Sequence, residues 1–181
     1  DNIFTLNQTV VNSYDPNDKT SLEGETIDPS MIGKYVHYQI PFENTGTFPA
    51  QNVVVKDLID ATKFDVSSLQ MVNSSHSCYT RITGNKVEFI FENINLPFDD
   101  ANNDGYIVFK IKTLPTLTIN SSISNTAEIY FDYNFPIVTN TATSTYQTLA
   151  NPSFDFENEF TLYPNPAKNT LNITSKNNLE I

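Results

Sequence analysis

The chain has 181 residues, of which 39% are hydrophobic, with 13 Phe, 9 Tyr and a formal net charge of −11. Such an acidic surface repels phosphate backbones and anionic lipids, which argues against nucleic acid or a membrane surface as the partner. No stretch approaches about 18 apolar residues, so no membrane span is expected. Cys78 is the single cysteine, which excludes an intrachain disulfide. Because the chain begins at Asp1 without a methionine and ends in mid-pattern, we expect a piece of a longer protein.

Alternating apolar and polar residues dominate the first part of the chain and predict strands. Residues 35–42 and 52–59 are the clearest, the second being rich in β-branched side chains. The inward face of the first reads Val36, Tyr38, Ile40 and Phe42. Pro41 lies within this run and should sit at a bulge or face away from a neighbouring strand. Residues 60–69 predict one or two helical turns that begin at Asp60 as N-cap.

Strand patterns continue through the second part of the chain. "TGN" at residues 83–85 separates two of them and predicts a hairpin with Gly84 at positive φ. Further strands are predicted over residues 106–114, 124–134 and 137–146. The pattern predicts an all-β fold, an immunoglobulin-like antiparallel β-sandwich of about seven to eight strands. Its predicted bounds are residues 1–148, followed by an acidic linker over 149–160 and a short β segment over 161–181.

The acidic stretch "DDANNDG" at residues 99–105 is a candidate calcium loop. Alternate oxygen side chains can converge on one hard cation, and Gly105 permits the sharp turn that this requires. The candidate ligands are Asp99, Asp100, Asn102 and Asp104. The twelfth position of the loop is Ile111 rather than a bidentate Glu, so this is not an EF-hand, and a polar loop between strands is the alternative. No cofactor is required, and Ca²⁺ is the one candidate ion.

Lys19 suggests a second kind of site. Some surface β-sandwiches carry an intramolecular isopeptide bond between a Lys on the first strand and an Asn on the last, assisted by a buried carboxyl group. Burial keeps the lysine amine neutral and nucleophilic. Lys19 and Asn125 are the candidate ends here, with Glu128 as the preferred helper and Glu43 or Asp57 as alternatives. The competing interpretation is a surface Lys and a turn Asn.

Catalytic patterns are scarce, which predicts that the protein is not an enzyme. His37 falls on the polar face of a strand, while His76 and Cys78 lie in a Ser/Asn-rich loop with no motif around them. Five glycines leave little material for a phosphate-binding loop. An aromatic run offers either core packing or a sugar-binding platform. Its members are Tyr130, Phe131, Tyr133 and Phe135, and alternation would place the last three on one face.

Four segments together resemble a known module. They are "SYDPNDK" (13–19), "HYQIPFENTGTFPAQNVVVKDLID" (37–60), "ITGNKVEFIFENINLP" (82–97) and "ISNTAEIYFDYNFPIVTNTA" (123–142). This set resembles the conserved β-sandwich repeat, of uncharacterised function, in large surface and secreted proteins of the Bacteroidota. The resemblance covers about residues 9–148 and implies a structural or adhesion module without catalytic residues. Pro41 departs from the pattern, where a polar or charged residue is more usual.

The segment "FTLYPNPAKNTLNI" at residues 160–173 resembles the start of the C-terminal sorting domain of the type IX secretion system. The matching residues are Tyr163, Pro164, Asn165 and Pro166. In that family the turn opens a small separate β-sandwich that directs export across the outer membrane. The segment is too short to bury a core alone, so the sorting domain is expected to be incomplete here.

These patterns favour a non-catalytic extracellular structural or adhesion module of a larger secreted or cell-surface protein, exported by type IX secretion. The expected partners are neighbouring modules of the same parent chain, a polysaccharide or cell-surface ligand, and the type IX export machinery. An accessory or carbohydrate-binding module attached to a secreted hydrolase is the alternative. The expected location is outside the cell or on the bacterial surface.

Overall fold

The structure, a computed structural model, describes residues 16–148, 160–163 and 172–175. The chain divides into two compact units, Asp1–Thr148 and Leu149–Ile181. The strands of the first unit are β1 (Thr20–Ser21), β2 (Thr26–Ile27), β3 (Tyr35–Glu43), β4 (Val53–Leu58), β5 (Phe64–Ser74), β6 (Tyr79–Thr83), β7 (Lys86–Phe91), β8 (Asp104–Thr113), β9 (Ser122–Asn125), β10 (Ala127–Phe131), β11 (Ile137–Val138) and β12 (Ala142–Tyr146). The second unit contains an antiparallel pair, β13 (Phe160–Tyr163) and β14 (Asn172–Ser175).

The first unit is built from three sheets. Their strand orders are β1-β3-β8-β5, β11-β10-β4-β7-β6 and β2-β12-β9. Neighbouring strands run antiparallel, apart from the short parallel pair of β2 and β12. The fold is therefore the all-β, immunoglobulin-like sandwich that the sequence predicts. A 3₁₀ helix at Pro29–Met31 is the only helical element among the described residues, and no helix there has the length and apolar character needed to cross a bilayer.

The core lies between the inner faces of these sheets and is rich in aromatic rings. Val36, Tyr38, Ile40 and Phe42 of β3 are all fully buried, which confirms the predicted alternation of that strand. Rings from the four-stranded and five-stranded sheets meet edge to face or tilted, with centroids 5.1 Å apart for both Phe42–Phe91 and Phe89–Phe109. Such packing excludes water from the space between the sheets, which matters for any polar group placed there.

The last hairpin of the sandwich passes from one sheet to another. The predicted long strands over 124–134 and 137–146 are each divided, into β9 and β10 and into β11 and β12. β9 pairs with β12 in the three-stranded sheet, whereas β10 pairs with β11 in the five-stranded sheet. At the crossing, the Thr126 and Thr141 hydroxyl oxygens lie 2.8 Å apart. Asn125, the last residue of β9, therefore lies at the point where the chain changes sheets.

The helix predicted over residues 60–69 is wrong. The Asp60 carboxylate accepts a hydrogen bond from the Thr62 backbone N–H at 2.9 Å, and the Asp60 carbonyl accepts from Lys63 and Phe64, which closes a single turn. Phe64 then begins β5, which pairs with β8. Its ring is buried and meets the Tyr38 ring edge-on, with centroids 6.3 Å apart. Burial of this ring in the sandwich outweighs the local helix signal.

Two other local predictions are confirmed. Thr83 pairs with Lys86 across a two-residue hairpin loop, and Gly84 adopts a φ of +63° there. Pro41 lies beyond the end of β1, which pairs only with Tyr38 and Gln39 of β3. Since the missing N–H of Pro41 would point along this side of β3, its absence breaks no bond in the sheet.

Gly105 of β8 provides a test of how tightly the sandwich is packed. It pairs with Phe42, and a Cβ atom added to it would lie 2.2 Å from Cε2 of that buried ring. We expect Gly105→Ala to lower the free energy of unfolding by about 1–3 kcal/mol through overpacking. Urea denaturation measures this change.

Gly84→Asn is the matched control, because nothing lies within 4 Å of Gly84 and Asn tolerates its positive φ. We expect this variant to unfold at nearly the wild-type urea concentration. Equal stability of the Gly105→Ala variant and wild type would contradict the close packing of Phe42.

Candidate functional site

Three polar side chains meet inside the sandwich: Lys19, Asp57 and Asn125. Lys19 directly precedes β1, Asp57 lies in β4, and Asn125 ends β9. Asp57 and Asn125 belong to two different sheets and Lys19 lies next to the third, so the cluster lies where all three sheets of the first unit meet. The structure thus brings together the two predicted ends of an isopeptide bond, Lys19 and Asn125, with one of the three carboxyl groups considered as helper.

The strand pleat explains why these residues point inward. Along β4 the buried positions alternate as Val53, Val55 and Asp57, and along β9 they alternate as Ile123 and Asn125. Because side chains two apart share a face, Asp57 and Asn125 occupy positions that an apolar residue would normally fill.

The backbone of Lys19 is fixed by the side chain of Asn140. The Lys19 N–H donates to Asn140 Oδ1 at 2.7 Å, and Asn140 Nδ2 donates to the Lys19 carbonyl at 3.1 Å. Asn140 lies two residues before β12, the strand that pairs with β9. This two-bond clamp therefore holds the base of the lysine side chain beside the strand pair that carries Asn125.

One carboxylate oxygen holds the cluster together. Lys19 Nζ donates to Asp57 Oδ2, and Asn125 Nδ2 donates to the same oxygen at 3.1 Å. The side chains of Lys19 and Asp57 are 0% exposed, and Asn125 is 5% exposed. Asp57 Oδ1 has no hydrogen-bond partner among the described residues. The amine and the carboxamide are thus neighbours on a single acid, in a space closed to water.

Aromatic rings surround the amine. Lys19 Nζ lies 5.1 Å from the centroid of the Tyr38 ring and 5.4 Å from that of Phe109. Burial lowers the pKa of the Lys19 amine, although the nearby Asp57 carboxylate acts in the opposite direction. Burial likewise raises the pKa of Asp57 against the effect of Lys19. Both shifts favour a neutral pair, with an uncharged amine beside a protonated acid.

The other two candidate helpers lie elsewhere. Glu128 occupies an outward position of β10, is 39% exposed and accepts from Lys56 Nζ at 2.8 Å. Glu43 accepts from Asn103 Nδ2 at 2.8 Å. The preference for Glu128 over Asp57 is therefore corrected. The sequence pattern of residues 53–57 could have identified Asp57, because this acid lies on the same face of the strand as Val53 and Val55.

The acidic stretch at residues 99–105 forms a loop that leads into β8. Asn102 Nδ2 donates to Asp99 Oδ2 at 2.8 Å, and Asp104 pairs with Glu43 at the start of the strand. Across residues 16–148 and the two described strands of the second unit, no group of three or more His, Cys, Asp or Glu side chains could hold a metal ion. Calcium at Asp99, Asp100, Asn102 and Asp104 stays a prediction from the sequence.

The histidines and the cysteine hydrogen-bond with other groups. His37 Nδ1 lies 2.7 Å from Glu23 Oε1, and His76 Nδ1 lies 2.8 Å from Ser75 Oγ. Cys78 Sγ donates to the carbonyl of Tyr79. Burial raises the pKa of Cys78 to about 11, so the thiol stays protonated and is a poor nucleophile at neutral pH.

The aromatic run does not share one face. Phe131 ends β10 and is buried, whereas Tyr133 and Phe135 are fully exposed in the loop that follows. The alternation stops at Asp132, which adopts a φ of +51° and accepts hydrogen bonds from the backbone N–H groups of Gln51 and Asn52. Tyr130 is half-buried, and its hydroxyl donates to Glu128 at 2.6 Å.

Only the first residue of the sorting-like motif is among the described residues. Tyr163 is the last residue of β13, and Pro164, Asn165 and Pro166 lie outside the described residues. The predicted linker over 149–160 also lies outside them, apart from Phe160. The antiparallel pairing of β13 with β14 agrees with the strand signals on either side of the motif.

Solved structures with a similar fold come from bacterial surface proteins. The N-terminal domain of the Streptococcus gordonii adhesin Sgo0707 is 18% identical, with a TM-score of 0.52 over 73% of this chain and 33% of that one. Domains D2 and D3 of the major pilin SpaD from Corynebacterium diphtheriae are 14% identical, with a TM-score of 0.53 over 71% of this chain and 51% of that one. The chain thus spans about a third of the adhesin structure and about half of the pilin structure.

Comparison with curated proteins gives no match. A family match covers residues 15–145, which include Lys19, Asp57 and Asn125. The chain therefore belongs to the family described as DUF7619, a domain of unknown function.

Proposed function

We propose that this chain is a non-catalytic structural or adhesion module of a larger protein that is secreted or held on the bacterial surface. The observation that carries the proposal is the sandwich itself, whose fold is similar to domains of an adhesin and of a major pilin. The chain corresponds to only part of each of those structures, as expected for one module in a longer assembly. Its partners would be neighbouring modules of the same parent and a polysaccharide or cell-surface ligand.

The interior chemistry supports a structural role. Lys19 and Asn125 both donate hydrogen bonds to Asp57, and the Lys19 amine faces the rings of Tyr38 and Phe109. Cys78 keeps its proton at neutral pH, because partial burial raises its pKa. Converging titratable groups that open into a cleft are the usual mark of an enzyme site, whereas the side chains of Lys19 and Asp57 are fully buried.

Export by type IX secretion is the finer part of the proposal. It is supported by the Tyr-Pro-Asn-Pro sequence at residues 163–166, with a strand on each side of it. The acidic surface suits an extracellular position without contact with nucleic acid or anionic lipid. No cofactor is required, and calcium at the loop over 99–105 would be an addition to this role.

Antibodies raised against the chain test the location. On intact cells of the source organism, or in the culture medium, we expect a signal equal to that from lysed cells, because the antigen lies outside the outer membrane. In a strain that lacks the type IX machinery, the signal should appear only after lysis. An antigen that is seen only in lysed wild-type cells would contradict an extracellular role.

A carbohydrate-binding module attached to a secreted hydrolase is the second candidate. The observation that favours it is the pair of fully exposed rings, Tyr133 and Phe135, on the loop between β10 and β11. Phe135 also lines a shallow groove beside Asn44 and Gly46 of the neighbouring loop. Exposed rings beside hydrogen-bonding groups are the arrangement that stacks on sugar faces.

Retardation of the chain in native gels that contain a panel of polysaccharides tests this candidate. If a polysaccharide slows wild type, Tyr133→Ala and Phe135→Ala should each weaken binding about tenfold through the loss of ring stacking. Tyr79→Ala is the control, because that ring is about half exposed on the edge strand β6 and lies outside the loop. Equal mobility of wild type in every gel would remove carbohydrate binding as a function.

A further inference from the structure

We propose that Lys19 and Asn125 are joined by an intramolecular amide bond, and that Asp57 transfers the proton that its formation requires. The inference stands on the geometry of the three side chains and does not depend on the proposed location. The bond would link the residue that directly precedes β1 to the last residue of β9, next to the sheet crossing.

The contacts place the reacting groups side by side. Lys19 Nζ and Asn125 Nδ2 both donate to Asp57 Oδ2, so the amine and the carboxamide share one small polar space. The Asn140 clamp on the Lys19 backbone and the β9–β12 pairing fix both side chains at their bases. Holding two reactants together in this way removes the entropic cost of bringing them into contact.

The surroundings favour the reactive form of the amine. Only an uncharged amine has the lone pair needed to attack a carbonyl carbon. The cluster is closed to water and bordered by Tyr38 and Phe109, so burial works against charge on Lys19 and on Asp57 alike. A protonated Asp57 can donate a hydrogen bond to the carboxamide oxygen once the Asn125 amide turns by half a rotation. That bond would stabilise the negative charge that develops on the oxygen during attack.

The reaction is balanced without an oxidant or a second reactant. The Lys19 nitrogen attacks Cγ of Asn125, a new C–N bond forms, and the bond from Cγ to Nδ2 breaks. The amine gives up one proton, which Asp57 passes to the departing nitrogen, and ammonia leaves. Asp57 ends the reaction as it began. Its oxygen Oδ1, which has no partner among the described residues, is a site available for the transferred proton.

Intact-mass spectrometry of the denatured full chain is the test. We expect a mass lower than that of the sequence by one ammonia, and a protease digest with one branched peptide that joins the segments containing Lys19 and Asn125. Lys19→Met and Asn125→Ala should each have the full sequence mass. The branched peptide also separates the amide from a succinimide at Asn125, which loses ammonia without joining two segments.

Two further variants assign the proton transfer. Asp57→Asn keeps both reacting residues, and we expect it to fold, as circular dichroism would show, and to stay unlinked. Glu128→Gln is the matched control, because Glu128 lies on the surface with Lys56, and it should lose ammonia as completely as wild type. An Asp57→Asn variant that becomes linked as fast as wild type would overturn the role of Asp57.

The wild-type measurement alone can overturn the proposal. A folded wild type at full sequence mass would show that Lys19 and Asn125 are not joined. A mass lower by one water instead of one ammonia would show an amide between Lys19 and Asp57, which also contradicts the proposed pairing. Neither outcome bears on the cellular location, so this test and the antibody test fail independently.

The proposed bond would also change how the domain responds to force. A pull between the two chain termini would pass from Lys19 through the amide to Asn125, and then through the β9–β12 pair. Residues 20–124 would carry no tension. In single-molecule pulling of the full chain, we expect the unfolded wild type to be shorter than the Lys19→Met variant by about 350 Å. Equal contour lengths would contradict the bond.

Discussion

Exclusion of water from the space between the sheets is the condition on which the rest of the structure depends. The same ring packing that fills the core also surrounds the Lys19 amine. In water, Lys19 and Asp57 would both be charged and would be weakly attracted to each other. In a dry interior, each charge loses its solvation, and the balance moves toward the neutral amine and the neutral acid. The tightly packed apolar core thus sets the protonation states of Lys19 and Asp57.

The period of the β-strand decides which residues enter that core. Val53, Val55 and Asp57 follow one another at intervals of two along β4, so whatever buries the valines also buries the acid. The same holds for Ile123 and Asn125 on β9. Lys56 and Glu128 stand at the alternate positions of β4 and β10 and pair across the surface at 2.8 Å. Two Lys–carboxylate pairs therefore differ in chemistry because they lie on opposite faces of one sheet.

Much of the fold follows from the sequence, because strand alternation is a local signal. The β3 face, the Gly84 hairpin and the position of Pro41 are all confirmed on that basis. Non-local packing determines the rest. Residues 60–69 look helical locally, yet Phe64 is buried against Tyr38 of a strand that lies far away in sequence. Two apparently continuous strands divide at the sheet crossing, where Thr126 and Thr141 meet. Nothing within either stretch marks that division.

The candidate site could also be predicted only in part from the sequence. Lys19 and Asn125 were identifiable as partners by their residue types and their places near the two ends of the domain. Choosing among three carboxyl groups required knowing which one faces inward. Alternation within residues 53–57 points to Asp57. This signal becomes decisive only when β4 is known to be central in its sheet, between β10 and β7. A strand with a neighbour on each side has its inner face buried, so an acid that points inward from it is exceptional.

Stability alone gives no reason for three polar groups at inward positions. A buried ion pair seldom exceeds the contribution of well-packed apolar side chains of similar volume, because the loss of solvation offsets the attraction. An amide between Lys19 and Asn125 removes this difficulty. It replaces an amine and a carboxamide by one neutral group, and it leaves Asp57 as a neutral acid with a hydrogen-bond partner. The free-energy cost of burying the cluster therefore decreases when the bond forms, and the dry core favours the linked state.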